Sequence, residues 1–357
     1  MKPAIGLPFP DGWFCVATST DVPPGAVKPV TFMGEERVLF RTESGALSLM
    51  DAYCPHLGAH MGHGGTVRGE TLRCPFHGFC FDRSGACVET AYGTKPPARA
   101  RVRSWPVREK HGLVLAWYHH DGREPDWEIP DLDVTGWSKL LLQRWSLRGH
   151  PQETSENSVD IGHFGVVHGY DRVETVVPAK ADGPLLTTRY RFHRFIGKGA
   201  LGFTATVDID IRVHGLGYSL VEMALPMFGV RSRQLVLPVP TTQDHIDLRI
   251  AMMTEDVGRS EQIRGWLPDG LPTGLLTRLV AEGIFAAYRN DVGQDFDIWK
   301  NKRYLSPPVL AAGDGPIMLY RRWASQFYPV VTDRAEGAAR AEGAPKRALP
   351  VLSDAEA

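Results

Sequence analysis

The stretch DAYCPHLGAHMGHGGTVRGETLRCPFHG, residues 51–78, decides how the first third of the chain folds. Cys54 and His56 lie in one turn-rich segment, Cys74 and His77 in a second, with seventeen residues (57–73) between them. Each segment therefore offers one thiolate and one imidazole. Pro55 and Pro75 stiffen the chain directly after each cysteine. Zinc fingers usually keep two cysteines in one short segment and two histidines in another, so a mixed pair in each segment argues against a structural zinc site.

Two cysteines on one iron and two histidines on the other is the donor set of a Rieske 2Fe-2S centre, which Cys54, His56, Cys74 and His77 supply. His60 and His63 lie in the same loop but outside that pairing. Cys15, Cys80 and Cys87 read as small buried hydrophobes. Strand-length runs at 37–41, 47–52 and 112–118 are separated by Gly, Pro, Ser and Asp, the texture of a small antiparallel β-domain over 9–120. The passage EPDWEIPDLDVTGW (124–137) cannot hold a regular helix and reads as part of a connection spanning 121–138.

Beyond it the pattern changes. In VDIDIRVHG (207–215), Val207, Ile209, Ile211 and Val213 fall on one face and Asp208, Asp210, Arg212 and His214 on the other. That alternation predicts a half-buried antiparallel strand, and Ile246, Leu248, Ile250 and Met252 repeat it. A long helix is expected over 273–300, with Leu276, Leu279, Val280 and Ile284 as its apolar stripe. These elements give an α+β class: an all-β first domain, then a second over 139–330 with an antiparallel sheet covered by helices. Residues 331–357 lack aromatic side chains and read as a disordered tail.

A second constellation opens that domain, SENSVDIGHFGVVHG (155–169). Glu156, Asp160 and His163 are spaced to share one face of a helix. His163 and His168 fall about 140° apart on an ideal helix, so both reach one ion only if the helix is distorted or ends between them. Two histidines and one carboxylate with open positions form the facial triad of non-haem Fe(II) oxygenases. The segment NDVGQDFDIW (290–299) offers Asp291, Asp295 and Asp297, and periodicity does not choose among them.

Together the two motifs resemble the oxygenase component of Rieske non-haem iron oxygenases, over nearly the whole chain up to about residue 330. The resemblance implies a helix-grip, START-like second domain with Fe(II) held by His163, His168 and Asp295, the late acid that follows a Gln. Asp160 and Asn157 become the catalytic candidates, and Glu156 also matches. It further implies a homotrimer joined head to tail, a heterologous ring in which His77 of one copy meets Asp160 of the next, which also holds His163. Electrons would arrive singly from a separate reductase or ferredoxin, and NAD(P)H would bind only to that partner. Three stretches are similar to the steroid branch, with its 3-ketosteroid 9α-hydroxylase and cholesterol 7-desaturases: residues 51–60, DIWKNK (297–302), and Asp314-Gly-Pro-Ile with Tyr320-Arg-Arg-Trp. The implied reaction is O2-dependent monooxygenation, a hydroxylation, of a steroid- or sterol-like hydrophobic ring compound. Desaturation, demethylation and dihydroxylation use the same ligands. Leu201, Phe203, Met223, Leu225, Met227 and Phe228 are candidates to line the substrate pocket.

Composition narrows the alternatives. At 357 residues and 43% hydrophobic, the chain is long enough for two cored domains. Forty Lys and Arg against forty-one Asp and Glu argue against a nucleic-acid partner. Five cysteines, an odd number, do not read as a secreted disulfide framework. The opening MKPAIGLPFPDGW has no apolar run of signal-peptide type, and no stretch approaches a membrane span, so a cytoplasmic location is expected. The glycines of GAHMGHGG lie inside the Cys54–Cys74 loop, outside the strand–turn–helix setting of a dinucleotide site. A Rieske electron carrier would leave more than two hundred residues and a second metal motif unexplained. A zinc-stabilised binding module would leave the same.

Overall fold

The computed structural model describes residues 5–197, 202–265 and 272–329. The tail expected over 331–357 and the pocket candidate Leu201 lie outside the described residues.

Short strands build the first half. Gly12–Thr18, Leu113–Tyr118 and Val107–Lys110 form one antiparallel sheet, and Val27–Phe32, Glu35–Arg41, Leu47–Asp51 and Ser104–Trp105 form another. A third small sheet (Thr66–Arg68, Thr71–Arg73, Cys80–Phe81, Cys87–Glu89) holds the two Cys/His loops in place. Those loops close alike. The N–H of Gly58 donates to the Cys54 carbonyl at 2.9 Å, and that of Gly78 to the Cys74 carbonyl at 3.1 Å. Both glycines take φ values, +75° and +65°, that a side chain would strain.

The second half is a seven-stranded antiparallel sheet. Its order is Leu141–Arg148, His245–Thr254, Val230–Thr242, Tyr218–Leu225, Phe203–His214, Leu185–Ile196, Asp171–Asp182. The alternation in Phe203–His214 holds for the apolar face: Val207, Ile209, Ile211 and Val213 are buried. Opposite them, Asp208 and Asp210 sit directly across from Arg191 and Arg189 and pair with them, each at 2.7 Å.

His245–Thr254 departs from the half-buried reading. Ile246, Leu248, Ile250 and Met252 do pack under the long helix, but the alternate face is buried too. Asp247 and Arg249 are 4% and 5% exposed. Arg249 donates to the carbonyls of Cys15 (2.6 Å) and Val16 (3.1 Å) and pairs with Asp247 at 2.6 Å. Around this clasp Trp13, Leu113 and Leu115 of the first half meet Tyr218, Leu220 and Leu237 of the second in one core. A charged alternate face reads the same in sequence whether it meets water or a partner's carbonyls.

The helices are α1 (Pro151–Glu156), α2 (Ile161–Val166), α3 (Glu261–Arg264), α4 (Gly274–Gln294), α5 (Phe296–Asn301) and α6 (Ile317–Ala324). The buried face of α4 is Thr277, Ala281, Phe285, Tyr288, Asp291 and Val292; of the expected stripe Ile284 packs against that core, while Leu279 is 61% exposed. Apolar residues surround the first turns of α4, so hydropathy selects no face there. The face is chosen by the rings of Phe285 and Tyr288 and by the Thr277 hydroxyl, which donates to Asp256 at 2.9 Å. The helical segment expected over 155–169 is split as well. The chain leaves α1 after Glu156 and re-enters a helix at Ile161, so Glu156, Asp160 and His163 share no continuous helix face. Side chains such as Asp160, which caps α2 by accepting from the His163 N–H at 3.2 Å, compete with the helical ladder for backbone donors. Among the described residues no helix is long and apolar enough to cross a membrane.

Removing one partner of a buried pair leaves the other charge uncompensated. We expect Arg249→Ala to cost about 3–5 kcal/mol, whereas Arg189→Ala, at a half-exposed pair, should cost less than about 1 kcal/mol. The midpoints of urea unfolding measure both; equal shifts would contradict the buried clasp.

Candidate metal centres

In the first constellation the sulfurs point inward and the imidazoles outward. Cys54 and Cys74 are 2% and 3% exposed and belong to a core with Met50, Met61 and Phe81. His56 is exposed and His77 half-buried, with ring centroids 4.7 Å apart at 78°. His56 stacks on Phe79 at 4.5 Å, which fixes its plane. The Nδ1 atom of His77 is buried and has no hydrogen-bond partner. Burial, with neighbouring Cys74 acting the same way, pushes the Cys54 thiol up to about 12. Such a site disfavours thiolates until a metal charge is present to offset them. Two facing thiols, an orphaned imidazole nitrogen and a second imidazole fit a Rieske 2Fe-2S cluster.

The nearby histidines are engaged elsewhere. His60 Nδ1 accepts from the Gly62 N–H at 3.0 Å, and its Nε2 lies 3.2 Å from Glu36. His63 packs on the His60 ring. Cys80 is buried beside the cluster loops, Cys87 packs at their edge, and Cys15 is fully buried in the core between the halves.

In the second constellation the donor atoms of His163, His168 and Asp295 lie within 4.8 Å of one another. Helix α2 ends at Val166, which frees His168 from the helical direction, and Gly169 turns the chain at φ +67°. Asp295 stands where α4 stops and α5 begins. Each imidazole is oriented through its far nitrogen. His163 Nδ1–H donates to the Asp160 carbonyl, and His168 Nδ1–H donates to Gln294 Oε1 at 2.9 Å. Both Nε2 lone pairs are thereby left for a metal, an arrangement that fixes tautomer and ring plane. His168 Nε2 lies 3.7 Å from Asp295.

The electrostatics agree. Burial, then the neighbouring His168, holds His163 down at about 4, so its imidazole is neutral and able to ligate. Burial pushes Asp295 up to about 6, as expected of a carboxylate set aside for a cation; Asn157 beside it acts in the opposite direction by hydrogen bonding. Burial also raises Asp160. Two neutral imidazoles and one buried carboxylate fit Fe(II).

Periodicity left three aspartates open, and the structure separates them. Asp291 is taken by Arg194 and Tyr170, Asp297 is exposed in the first turn of α5, and Asp295 alone joins the histidines. Gln294 was not among the expected site residues; its position just before the acid was the available signal. A further group, Asp11, His119 and His120, is a closed hydrogen-bond cluster. His120 Nδ1 meets Asp11 at 2.7 Å, and His119 Nδ1 accepts from the Asp121 N–H at 3.1 Å.

A cavity of about 690 Å³ opens on His168 and Asp295. Met223 and Leu225 line it as expected, with Val221 on the same face of their strand. Phe203, Met227 and Phe228 do not. Met227 and Phe228 lie in the turn where the chain leaves the sheet, and Phe203, at a strand end, is 39% exposed.

Comparison with known proteins places the chain in a family. A family model described as the Rieske [2Fe-2S] domain matches residues 12–106, and one described as the 3-ketosteroid 9alpha-hydroxylase C-terminal domain matches residues 116–328. Cholesterol 7-desaturase nvd 1 of Ciona intestinalis is 33% identical over 350 residues, spanning 90% of this chain and 69% of that protein. The probable 3-ketosteroid-9-alpha-monooxygenase, oxygenase component, of Rhodococcus rhodochrous is 28% identical, spanning 92% and 83%. Among solved structures, the Pseudomonas putida CBB5 NdmA QL mutant with caffeine has a TM-score of 0.66 at 17% identity, covering 88% of this chain and 89% of that one. Dicamba monooxygenase bound to dicamba has a TM-score of 0.62 at 18% identity, covering 92% and 98%. At those identities the structures speak to the fold alone. The chain belongs to the Rieske non-haem iron oxygenases, in the family built on the 3-ketosteroid 9α-hydroxylase C-terminal domain.

Proposed function

We propose that the chain is the terminal oxygenase of a monooxygenase system that hydroxylates a steroid-like ring compound. The observation that carries this is the junction between the His163–His168–Asp295 trio and a cavity walled by Phe164, Phe192, Val207, Ile209 and Met223. A rigid apolar skeleton fits such walls, and the named activities of the relatives, cholesterol 7-desaturation and 3-ketosteroid 9α-hydroxylation, are both performed on fused rings. When bound, the cluster stores single electrons and the ferrous ion activates O2, so that hydroxylation consumes one O2, two electrons and two protons and releases water.

The chain's own residues prepare this chemistry. Asp160, through its carbonyl, and Gln294 hold the two imidazoles edge-on to a shared point, and Asn157 steadies the Asp295 carboxylate. Tyr170 stacks on Phe192 at 4.1 Å and 3° and walls the cavity beside His168. Electrons come from a separate reductase, where NAD(P)H binds. In this reading copies of the chain form a head-to-tail homotrimer in the cytoplasm, where the unpaired thiols stay reduced. The first half exposes Tyr53, Leu57, Phe76 and Tyr92, and the second exposes Val166, Leu305 and Val309; apolar residues left in water suit burial between copies. The Asp160 carboxylate, 35% exposed, would accept from His77 of the neighbouring copy.

Two outcomes are expected. Gln294→Ala should lower iron affinity at the mononuclear site about 10- to 100-fold, read by chelator competition, with the visible spectrum of the cluster unchanged. Asp160→Ala should keep its full iron content yet lose nearly all turnover with a surrogate reductase and a panel of ring substrates, read by mass spectrometry. Full metal with undiminished turnover in Asp160→Ala would contradict the bridge between copies.

A further inference from the structure

The strand Leu185–Ile196 turns Tyr190, Phe192 and Ile196 toward the core and the cavity, and Arg194 interrupts that row. A cation on an apolar strand face is costly unless it is paired. Arg194 is held from the opposite wall by Asp291, itself 8% exposed. Its Nη2 donates to Oδ1 at 2.8 Å, its Nη1 donates to Oδ2, and the Tyr170 hydroxyl donates to the same Oδ2 at 2.9 Å. The guanidinium carbon lies 5.4 Å from the Tyr170 ring centroid. The Arg194 side chain is 28% exposed and that of Asp291 11%, and apolar residues often serve stability as well as such a partly buried pair does.

The position of the pair suggests a use. It lines the cavity one helical turn before Asp295, and the Tyr170 ring, 5.3 Å from that of His168, separates it from the metal donors. A guanidinium carries five N–H donors and no acceptor, and Asp291 takes two of them. The donors left over, on a residue that lines the cavity, are available to an acceptor on a ligand. Asp291 already neutralises the charge, so a carboxylate brought to Arg194 would also meet that anion. A hydroxyl oxygen could accept from Arg194 as well, but its own proton would then turn to a carboxylate that already receives three donors. A neutral carbonyl oxygen meets neither difficulty.

We propose that Arg194, positioned by Asp291 and Tyr170, is the specificity-determining residue that receives a ketone oxygen at one end of the ring substrate, so that the enzyme prefers a ketosteroid to the corresponding sterol alcohol. The proposal rests on the ring-substrate reading above and decides between the two substrate types named for the relatives.

Equilibrium dialysis tests it on iron-loaded protein and on protein stripped of the mononuclear iron, with three probes that share one tetracyclic skeleton: the 3-ketone, the 3β-alcohol and the 3-deoxy compound. The wild type should bind the ketone about tenfold or more tightly over both others, in both metal states. Arg194→Met should bring the ketone-to-deoxy ratio near one, the deoxy compound serving as the internal reference. Because that variant strands the Asp291 charge, the double variant Arg194→Met/Asp291→Asn is measured beside it, with the same ratio expected. A ratio that stays at the wild-type value in either folded variant, or a wild type indifferent to the ketone, overturns the role of Arg194 and leaves the oxygenase reading standing. Failure of the wild type to bind any of the three overturns the steroid reading, and this proposal with it.

Discussion

Donors far apart in the chain must meet at one point with their other hydrogen-bonding needs already met; the second half of this protein is arranged around that requirement. His163 and His168 would diverge on a regular helix, so α2 ends between them. The acid arrives where α4 breaks and α5 begins. Each Nδ1–H is committed to an acceptor, Asp160 or Gln294, which leaves each Nε2 free. Burial then keeps His163 neutral and leaves Asp295 in want of a cation. Helix ends, hydrogen bonds and burial all act toward the same charge, a divalent metal.

The first half solves a related problem at a surface. Its two loops bury the sulfurs and present the imidazole edges, so whatever they hold is insulated on one side and reachable on the other. Insulation suits a stored electron, and reach suits its transfer between molecules. The halves are joined through a shared core and the Arg249–Asp247 clasp, which fixes the cluster loops on one side of the large sheet while α4 covers the other.

Much of this was legible in the residues. The two Cys/His segments, the strand-length runs and the His163/His168 spacing carry local geometry, and local geometry survives in sequence. What was hidden depends on partners distant in the chain. Periodicity does not distinguish Asp295 from Asp291, and only the family resemblance, through the Gln before it, points to Asp295; in space the difference is that Arg194, 97 positions away, occupies Asp291. The alternation of His245–Thr254 looked solvent-facing because charge patterns do not record what lies opposite, here the carbonyls of Cys15 and Val16. The α4 stripe was misplaced for the same reason: several faces were apolar enough, and the sheet beneath chose one.

The most direct measurement is an anomalous diffraction map collected at the iron and zinc absorption edges on crystals of the purified protein. The account predicts two adjacent iron peaks between the Cys54/His56 and Cys74/His77 loops, and a single iron peak among His163, His168 and Asp295. A lone zinc peak in the first position, or no metal between the two later imidazoles, would contradict it.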